Sequence, residues 1–294
     1  MALGTDGGGS IRIPCAFTGL YGLKPSFGRV PQYPQSVFGM VAHSGPMARS
    51  AADLALLLTV MAGADDRDVH ALPPDPRDWR QDIEDGVKGL RIAFSPTLGY
   101  ARVDPEIAVA VAAATRRFAE LGAEIETVEH IFDDPANAWL TLWWSGAAKA
   151  LSAYSADARR RIDPGLEASA QQGARLSAVD YVSADVARGA LSLEMAKFHR
   201  RFDLLLTPSV AVPALPAGAL LSDPASQREW IEWAPFSYPF NLTRQPAASV
   251  PCGLTKSGLP IGLQIVGRRY DDALVLRAAR AFERAHPFAH CPLD

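Results

Sequence analysis

Near the start of the chain Gly7, Gly8 and Gly9 run directly into Ser10, with Asp6 just before them and Arg12 just after. Successive glycines permit positive φ and can turn consecutive backbone N–H groups toward one point, an anion-binding concavity. The anion is a phosphate or the oxyanion of a tetrahedral acyl intermediate. A serine at the end of such a loop sits beside the oxyanion that its own attack creates, the arrangement acyl transfer needs. Phosphate fits less well. A Walker loop places Lys directly after its glycines, and here the next one is Lys24. A dinucleotide fingerprint follows a strand, whereas only MALGTD precedes these glycines, and Arg12 breaks the G-x-S-x-G elbow of the α/β-hydrolases. A plain glycine-rich turn is the competing reading.

No second chemistry stands out. The histidines His43, His70, His130, His199, His286 and His290 are scattered, with no metal-ligand spacing. Cys15, Cys252 and Cys291 are odd in number and far apart, so neither a disulfide framework nor a C-x-x-C metal pattern is present, and a reducing cytoplasm is the expected setting. No metal and no cofactor are called for. The 294 residues carry a net charge of -3, which offers no basic surface for nucleic acid or an anionic membrane. Apolar runs such as LALLLTVMAG fall short of the roughly 20 residues of a bilayer span. Nothing at the start reads as a secretory signal.

The elements that must hold the loop read as one α/β domain. Residues 1–48 are rich in Gly, Pro and Ser and predict loops and short turns around interleaved aromatics. RSAADLALLLTVMAG predicts a helix, with Ser50 and Asp53 at capping-box spacing and Gly63 as its stop. LRIAFS, a helix opened by Asp104-Pro105, and EIETV predict a strand, helix and strand in that order, hence a parallel pair. Residues 135–200 look mostly helical. DLLLTPS reads as a buried strand, AASVPCGL and PIGLQIVG as two strands joined by a turn, and Asp271-Asp272 as the start of a last amphipathic helix to about Ala285. Helices around a mixed sheet are expected.

The segment GTDGGGSIRIPCAFTGLYGLKPSFGRVP resembles, almost residue for residue, the signature segment of the amidase signature family. Three further stretches fit the same family in the same order: SGPMARSAADLALLLTVMAG, FDLLLTPS and PFNLTRQPAASVPCGLTKSGLPIGLQIVG. The resemblance implies the amidase signature fold, a mixed β-sheet flanked by helices on both faces. It implies cleavage of a carboxylic amide C–N bond through a Ser acyl-enzyme, giving a carboxylate and ammonia or an amine. It places the nucleophile at Ser10, the oxyanion-hole N–H groups at Gly7, Gly8, Gly9 and Ser10, and supporting roles at Asp6 and Arg12.

The family passes the serine's proton to an upstream Lys through a second Ser held in a cis peptide bond. Here nine residues precede Ser10, and none is Ser or Lys. Lys24 matches a family position without a catalytic role. His43 with Asp53 would allow a Ser-His-Asp arrangement, which the family does not use. The chain is therefore expected to be a single amidase domain, 1–294, truncated at its N-terminus and weakly active or inactive alone. Apolar faces uncovered by that truncation would invite pairing, and a homodimer is one such assembly. Trp143, Trp144, Trp233 and Phe236, with Trp139 and Trp230, are candidates for an apolar acyl pocket that favours aryl or aliphatic amides, although large aromatics also build cores. Two other functions stay open: a non-catalytic relic or binding module that keeps the glycine loop, and a glutaminase resembling the A subunit of a tRNA amidotransferase, which works with a partner.

Overall fold

The structure, a computed structural model, describes residues 1–227 and 229–289, so Cys291 and His290 lie outside the described residues. Its framework is one eight-stranded mixed sheet. In chain order the strands are β1 (Ala2–Asp6), β2 (Tyr21–Lys24), β3 (His43–Ala48), β4 (Arg91–Phe94), β5 (Glu124–Thr127), β6 (Leu204–Pro208), β7 (Ala247–Leu254) and β8 (Pro260–Gly267). They lie in the order β1-β3-β2-β7-β8-β6-β4-β5. The β4, β5 and β6 strands run parallel and every other neighbouring pair is antiparallel.

Alternation along β8 divides the molecule into two layers. Ile261, Leu263 and Ile265 face a core shared with α2 (Ala51–Met61), α3 (Pro105–Glu120) and α9 (Asp272–Ala285). Val266 joins the opposite core, with α4 (Ala136–Leu151), α7 (Ala178–Phe198) and α8 (Tyr238–Leu242). A side chain at Gly262 would meet Ala16 of α1 (Arg12–Thr18), which places that short helix on the second face. Burial on both faces explains why the central strands read as continuous apolar runs. Two short helices, α5 (Ala156–Arg159) and α6 (Pro164–Gly173), complete the helical middle.

The expected βαβ unit is present: β4 and β5 pair in parallel across α3, whose cap is Asp104 with Pro105 in the first turn. Ser50 caps α2 by accepting the Asp53 N–H. The first 48 residues depart from the expectation of loops and turns, because they supply β1, β2 and β3. The β3 sequence HSGPMA, with a glycine and a proline, carries no strand propensity. It is held extended by pairing on both sides, to β1 from Ala2–Met47 through Asp6–His43 and to β2 at Tyr21–Ala48. On its other edge β1 has no strand partner among the described residues, and Leu3 there is 62% exposed.

Candidate active site

Strand β1 ends at Asp6, which is fully buried, and the glycine loop turns around its carboxylate. Asp6 Oδ1 accepts the Gly9 N–H at 2.7 Å and Oδ2 accepts the Ile11 N–H at 3.3 Å. Arg12, the first residue of α1 and also fully buried, closes a two-point ion pair with both oxygens at 3.0 Å. The rest of its guanidinium donates to Asn241 Oδ1 at 2.6 Å, Ser237 O at 2.9 Å and Gln264 Oε1 at 2.9 Å. Asn241 returns its amide to Asp6 Oδ1 at 2.8 Å. Burial by itself would push the Asp6 carboxyl up. The Arg12 charge, with the hydrogen bonds from Arg12 and Asn241, outweighs it and holds the group well below the ordinary carboxylate range.

The loop's carbonyls are pinned as well. Trp139 Nε1 donates to Gly7 O at 2.8 Å, and Ser237 Oγ donates to Gly8 O at 2.6 Å. The glycines are needed here. A side chain on Gly8 would overlap the Trp139 ring, and Gly9 has φ +134° with the Ser237 Oγ only 2.8 Å from where its Cβ would stand. With carbonyls held inward, the N–H groups of Gly7, Gly8 and Ser10 are used by no hydrogen bond among the described residues. The Gly9 N–H, grouped with these donors on sequence grounds, is instead committed to Asp6. Its part is to hold the turn.

Ser10 stands at the loop's outer end and is exposed. No hydrogen bond among the described residues reaches its hydroxyl. Lys24 is fully buried and donates to Pro25 O and Gln245 O; burial, followed by the Arg12 charge, holds its ammonium well below the ordinary range against Asp6 and Asp272. His43 is buried beside Asp6 in the β1–β3 register, shares a hydrogen bond between Nδ1 and Val41 O at 2.9 Å, and is pushed well down by burial and then by Lys24. Asp53 lies in the first turn of α2, bonded at its N–H to Ser50, and makes no hydrogen bond to His43. A Ser-His-Asp relay is therefore not assembled. No group of three His, Cys, Asp or Glu side chains among the described residues is placed to hold a metal ion.

The aromatic candidates separate. The Trp143 ring reaches within 3.3 Å of the Gly7 Cβ position and stacks on Trp139 with centroids 5.0 Å apart, so it flanks the loop. Trp144, the next residue on α4, sets its backbone against Gly173. Trp233 donates its indole N–H to Leu220 O at 2.9 Å and borders a cleft of about 930 Å³ with Tyr100 and Asp134. Phe236 is fully buried in the second core, and its carbonyl accepts from Gln264. Sequence reasoning missed Ser237, Asn241 and Gln264 as supports of the loop. Their signal is a polar residue inside an otherwise apolar run, as in PFSYPFNL and PIGLQIVG.

Residues 1–276 match the sequence profile of the family described as Amidase. The chain belongs to the amidase family. Among its relatives, it is 36% identical to an acylamidase from Rhodococcus erythropolis, covering 98% of this chain and 62% of that protein. It is 35% identical to the A subunit of the glutamyl-tRNA(Gln) amidotransferase of Myxococcus xanthus (strain DK1622), covering 98% of this chain and 64% of that protein. In structure it is similar to a bacterial aryl acylamidase of the amidase signature enzymes, with a TM-score of 0.88, 33% identity, and 98% of this chain and 62% of that one covered. The chain thus spans somewhat under two thirds of the length of these amidase-family relatives. Its mixed sheet with helices on both faces is the amidase signature fold. No helix among the described residues is long and apolar enough to cross a membrane.

Proposed function

We propose that this chain carries the nucleophile and oxyanion site of an amide hydrolase. The carrying observation is the loop itself: the Asp6 carboxylate, the Gly7 and Gly8 carbonyls and the Arg12 guanidinium are each held, while three N–H groups, on Gly7, Gly8 and Ser10, have no partner among the described residues. Ser10 Oγ would attack the carbonyl carbon of a carboxylic amide. The oxygen that becomes negative would meet donors already in place, and each such donor is worth on the order of 100-fold or more in rate. Collapse would expel ammonia or an amine and leave an acyl group on Ser10, which water then removes as a carboxylate.

The serine's proton needs an acceptor. In the family pattern it is a Lys acting through a second Ser, and residues 1–9 hold neither. The 294 residues by themselves are therefore expected to hydrolyse amides weakly or not at all. The Trp143 ring beside Gly7 supplies an apolar wall for the acyl group, which supports aryl amides as the substrate class.

The test is covalent trapping. A fluorophosphonate bearing a phenyl group should attach to Ser10, found by peptide mass spectrometry, faster than its ethyl counterpart. Adding imidazole as an external base should speed attachment by about tenfold. Ser10→Ala should abolish it. A chain that folds but takes no label with imidazole present would overturn the catalytic reading and leave a binding module. Glutamine hydrolysis that appears only with a second protein bound would favour the amidotransferase reading instead.

A further inference from the structure

Helix α7 runs for 21 residues and buries one side, Ala184, Leu191 and Met195, against the second core. Opposite that side lies a second apolar row: Val179, Val182, Val186, Gly189, Leu193 and Ala196, spaced alternately by three and four residues. The three valines are 73%, 59% and 68% exposed and Leu193 is 55% exposed. Gly189 and Ala196 are exposed as well. A helix that meets water on its outer side carries polar residues there. Spacing by three and four is the pattern that keeps a seam turned toward another helix along its whole length.

Two features of the row have no use within the chain. Valine gives up side-chain freedom in a helix, so helix formation does not account for three of them on the solvent side. Glycine is the least favourable helix-interior residue after proline, yet no packed neighbour of this chain stands within 4 Å of where a Gly189 Cβ would lie. A glycine in mid-helix that makes room for nothing inside the molecule makes room for a backbone arriving from outside.

We infer that this face of α7 pairs, antiparallel, with the same face of a second copy of the chain. About a two-fold axis between residues 187 and 188 the row meets itself, Val179 against Ala196, Val182 against Leu193 and Val186 against Gly189. Large meets small at the first and last of these levels, and no other antiparallel register uses all six residues. The charges fit the same register. Asp185 and Arg188, beside the middle of the row, are already paired within the helix at 2.8 Å. Toward the ends, the exposed Lys197 of each copy comes beside the exposed Asp180 of the other, and Glu194 comes beside the Ser183 hydroxyl. In a parallel pair Lys197 and Asp180 would stand about 25 Å apart along the helix. Antiparallel helices also bring opposite ends of their dipoles together. Two copies pressed along this row bury on the order of 1,000 Å², the lower limit of a specific interface, which sets the pairing in the micromolar range. The pairing stands independently of any role for Ser10.

Sedimentation equilibrium of the 294-residue chain tests it. Between about 1 and 100 µM the mass should climb from the 31.5 kDa of one chain toward twice that, with Kd on the order of 10 µM. Val186→Glu sets two carboxylates close to the axis and should weaken pairing by about 100-fold or more. Its Tm at about 1 µM should be unchanged, since the residue is exposed and touches no core. Leu3→Lys, on the free edge of β1, should leave the pairing as it is. The register is read by mixing chains that carry Val182→Cys with chains that carry Leu193→Cys, both with Cys291→Ser; Cys15 and Cys252 are buried. Under oxidised glutathione the two should join to each other and neither to itself. A chain that stays monomeric at about 100 µM would overturn the proposal and leave the row to a different protein. So would pairing that survives Val186→Glu, or pairing lost in Leu3→Lys, which would move the contact to β1. Val182→Cys chains that join to themselves would overturn the antiparallel arrangement.

Discussion

The glycine loop and the cluster of His199, Thr243 and Gln245 are both built from buried polar side chains, yet they leave different atoms over. At the loop, Asp6, Arg12, Asn241, Ser237 and Gln264 satisfy one another, and among the described residues the N–H groups of Gly7, Gly8 and Ser10 are left over. At Thr243 and Gln245 the leftover atoms are a hydroxyl and an amide oxygen, both closed off from solvent. A preorganised set of donors with no resting partner serves a charge that forms and vanishes, the requirement of a transition state. The difference shows that burial of polar groups is not one signal. It matters which atoms are left unpaired.

The sharpest way to break the contrast is to remove the charge that organises the loop. Asp6→Asn leaves the Arg12 guanidinium buried without a counter-charge, and a broken buried pair of this kind costs about 3–5 kcal/mol. The expected fall in Tm is on the order of 10 °C, with labelling of Ser10 lost even at temperatures where the variant is folded. Calorimetry of the two proteins checks it. A change below about 1 kcal/mol would mean that Arg12 finds enough acceptors in Asn241, Ser237 and Gln264, and the loop would not be the over-determined structure described above.

Much of the loop was legible in sequence because its demands are local. Three glycines, an aspartate three residues before Gly9 and an arginine two after Ser10 form a hydrogen-bonded turn within seven residues. Strands β4 to β8 and helices α2, α3 and α9 were legible for a similar reason, since period, caps and glycine stops lie inside each element. What stayed hidden depends on distant chain. Strand β3 is extended only because β1 and β2 pair with it. Ser237, Asn241 and Gln264 reach the loop from more than 220 residues away, as the separations of 225, 229 and 252 residues from Arg12 record. Trp144 and Phe236 were grouped with Trp143 and Trp233 by residue type. In the fold Trp144 sets its backbone against Gly173, and Phe236 is buried in the second core, placements that residue type alone does not give. The Gln245 cluster was invisible altogether, because no motif encodes the meeting of α7, the start of β7 and the end of β8.

Acid should separate the two regions. Burial pushes His199 down to about 4 from an ordinary value near 6.5, against the smaller raising effect of its bond to Phe202 O. The unfolded chain therefore binds the proton first as pH falls. Stability from this group is complete above pH 6.5, declines as pH drops toward 4, and amounts to roughly 3 kcal/mol. His43, also pushed down by burial, acts in the same direction below its ordinary value. Asp6 is shifted below the carboxylate range, so its contribution is present above the ordinary carboxylate value and fades only in stronger acid. Between pH 6.5 and 4 the amide of Gly267, which bonds Pro246 O, should lose more exchange protection than that of Gly9, which the still-ionised Asp6 carboxylate holds although His43 beside it also disfavours acid. Hydrogen exchange followed at both amides, corrected for intrinsic rate, tests this; equal loss at the two would erase the distinction.

The smallest effects discriminate most finely, since two conservative deletions should have opposite signs. Trp139→Phe keeps a ring in the Trp143 stack but removes the N–H that holds Gly7 O. It leaves a part-buried carbonyl without its donor and should cost about 1 kcal/mol. It should also slow labelling of Ser10, because Gly7 can then turn its N–H away. Thr243→Val deletes a hydroxyl that has no protein partner, so nothing is left unpaired. Removing a buried polar group that bonds to nothing relieves its desolvation, and stability should rise by up to about 1 kcal/mol. Urea midpoints for both variants, measured with unchanged slope, give the two signs directly. If Thr243→Val is the more destabilising of the two, its hydroxyl has an energetic partner in the folded chain. The Gln245 cluster would then be as fully satisfied as the loop, and the contrast between the two regions would fail at its foundation.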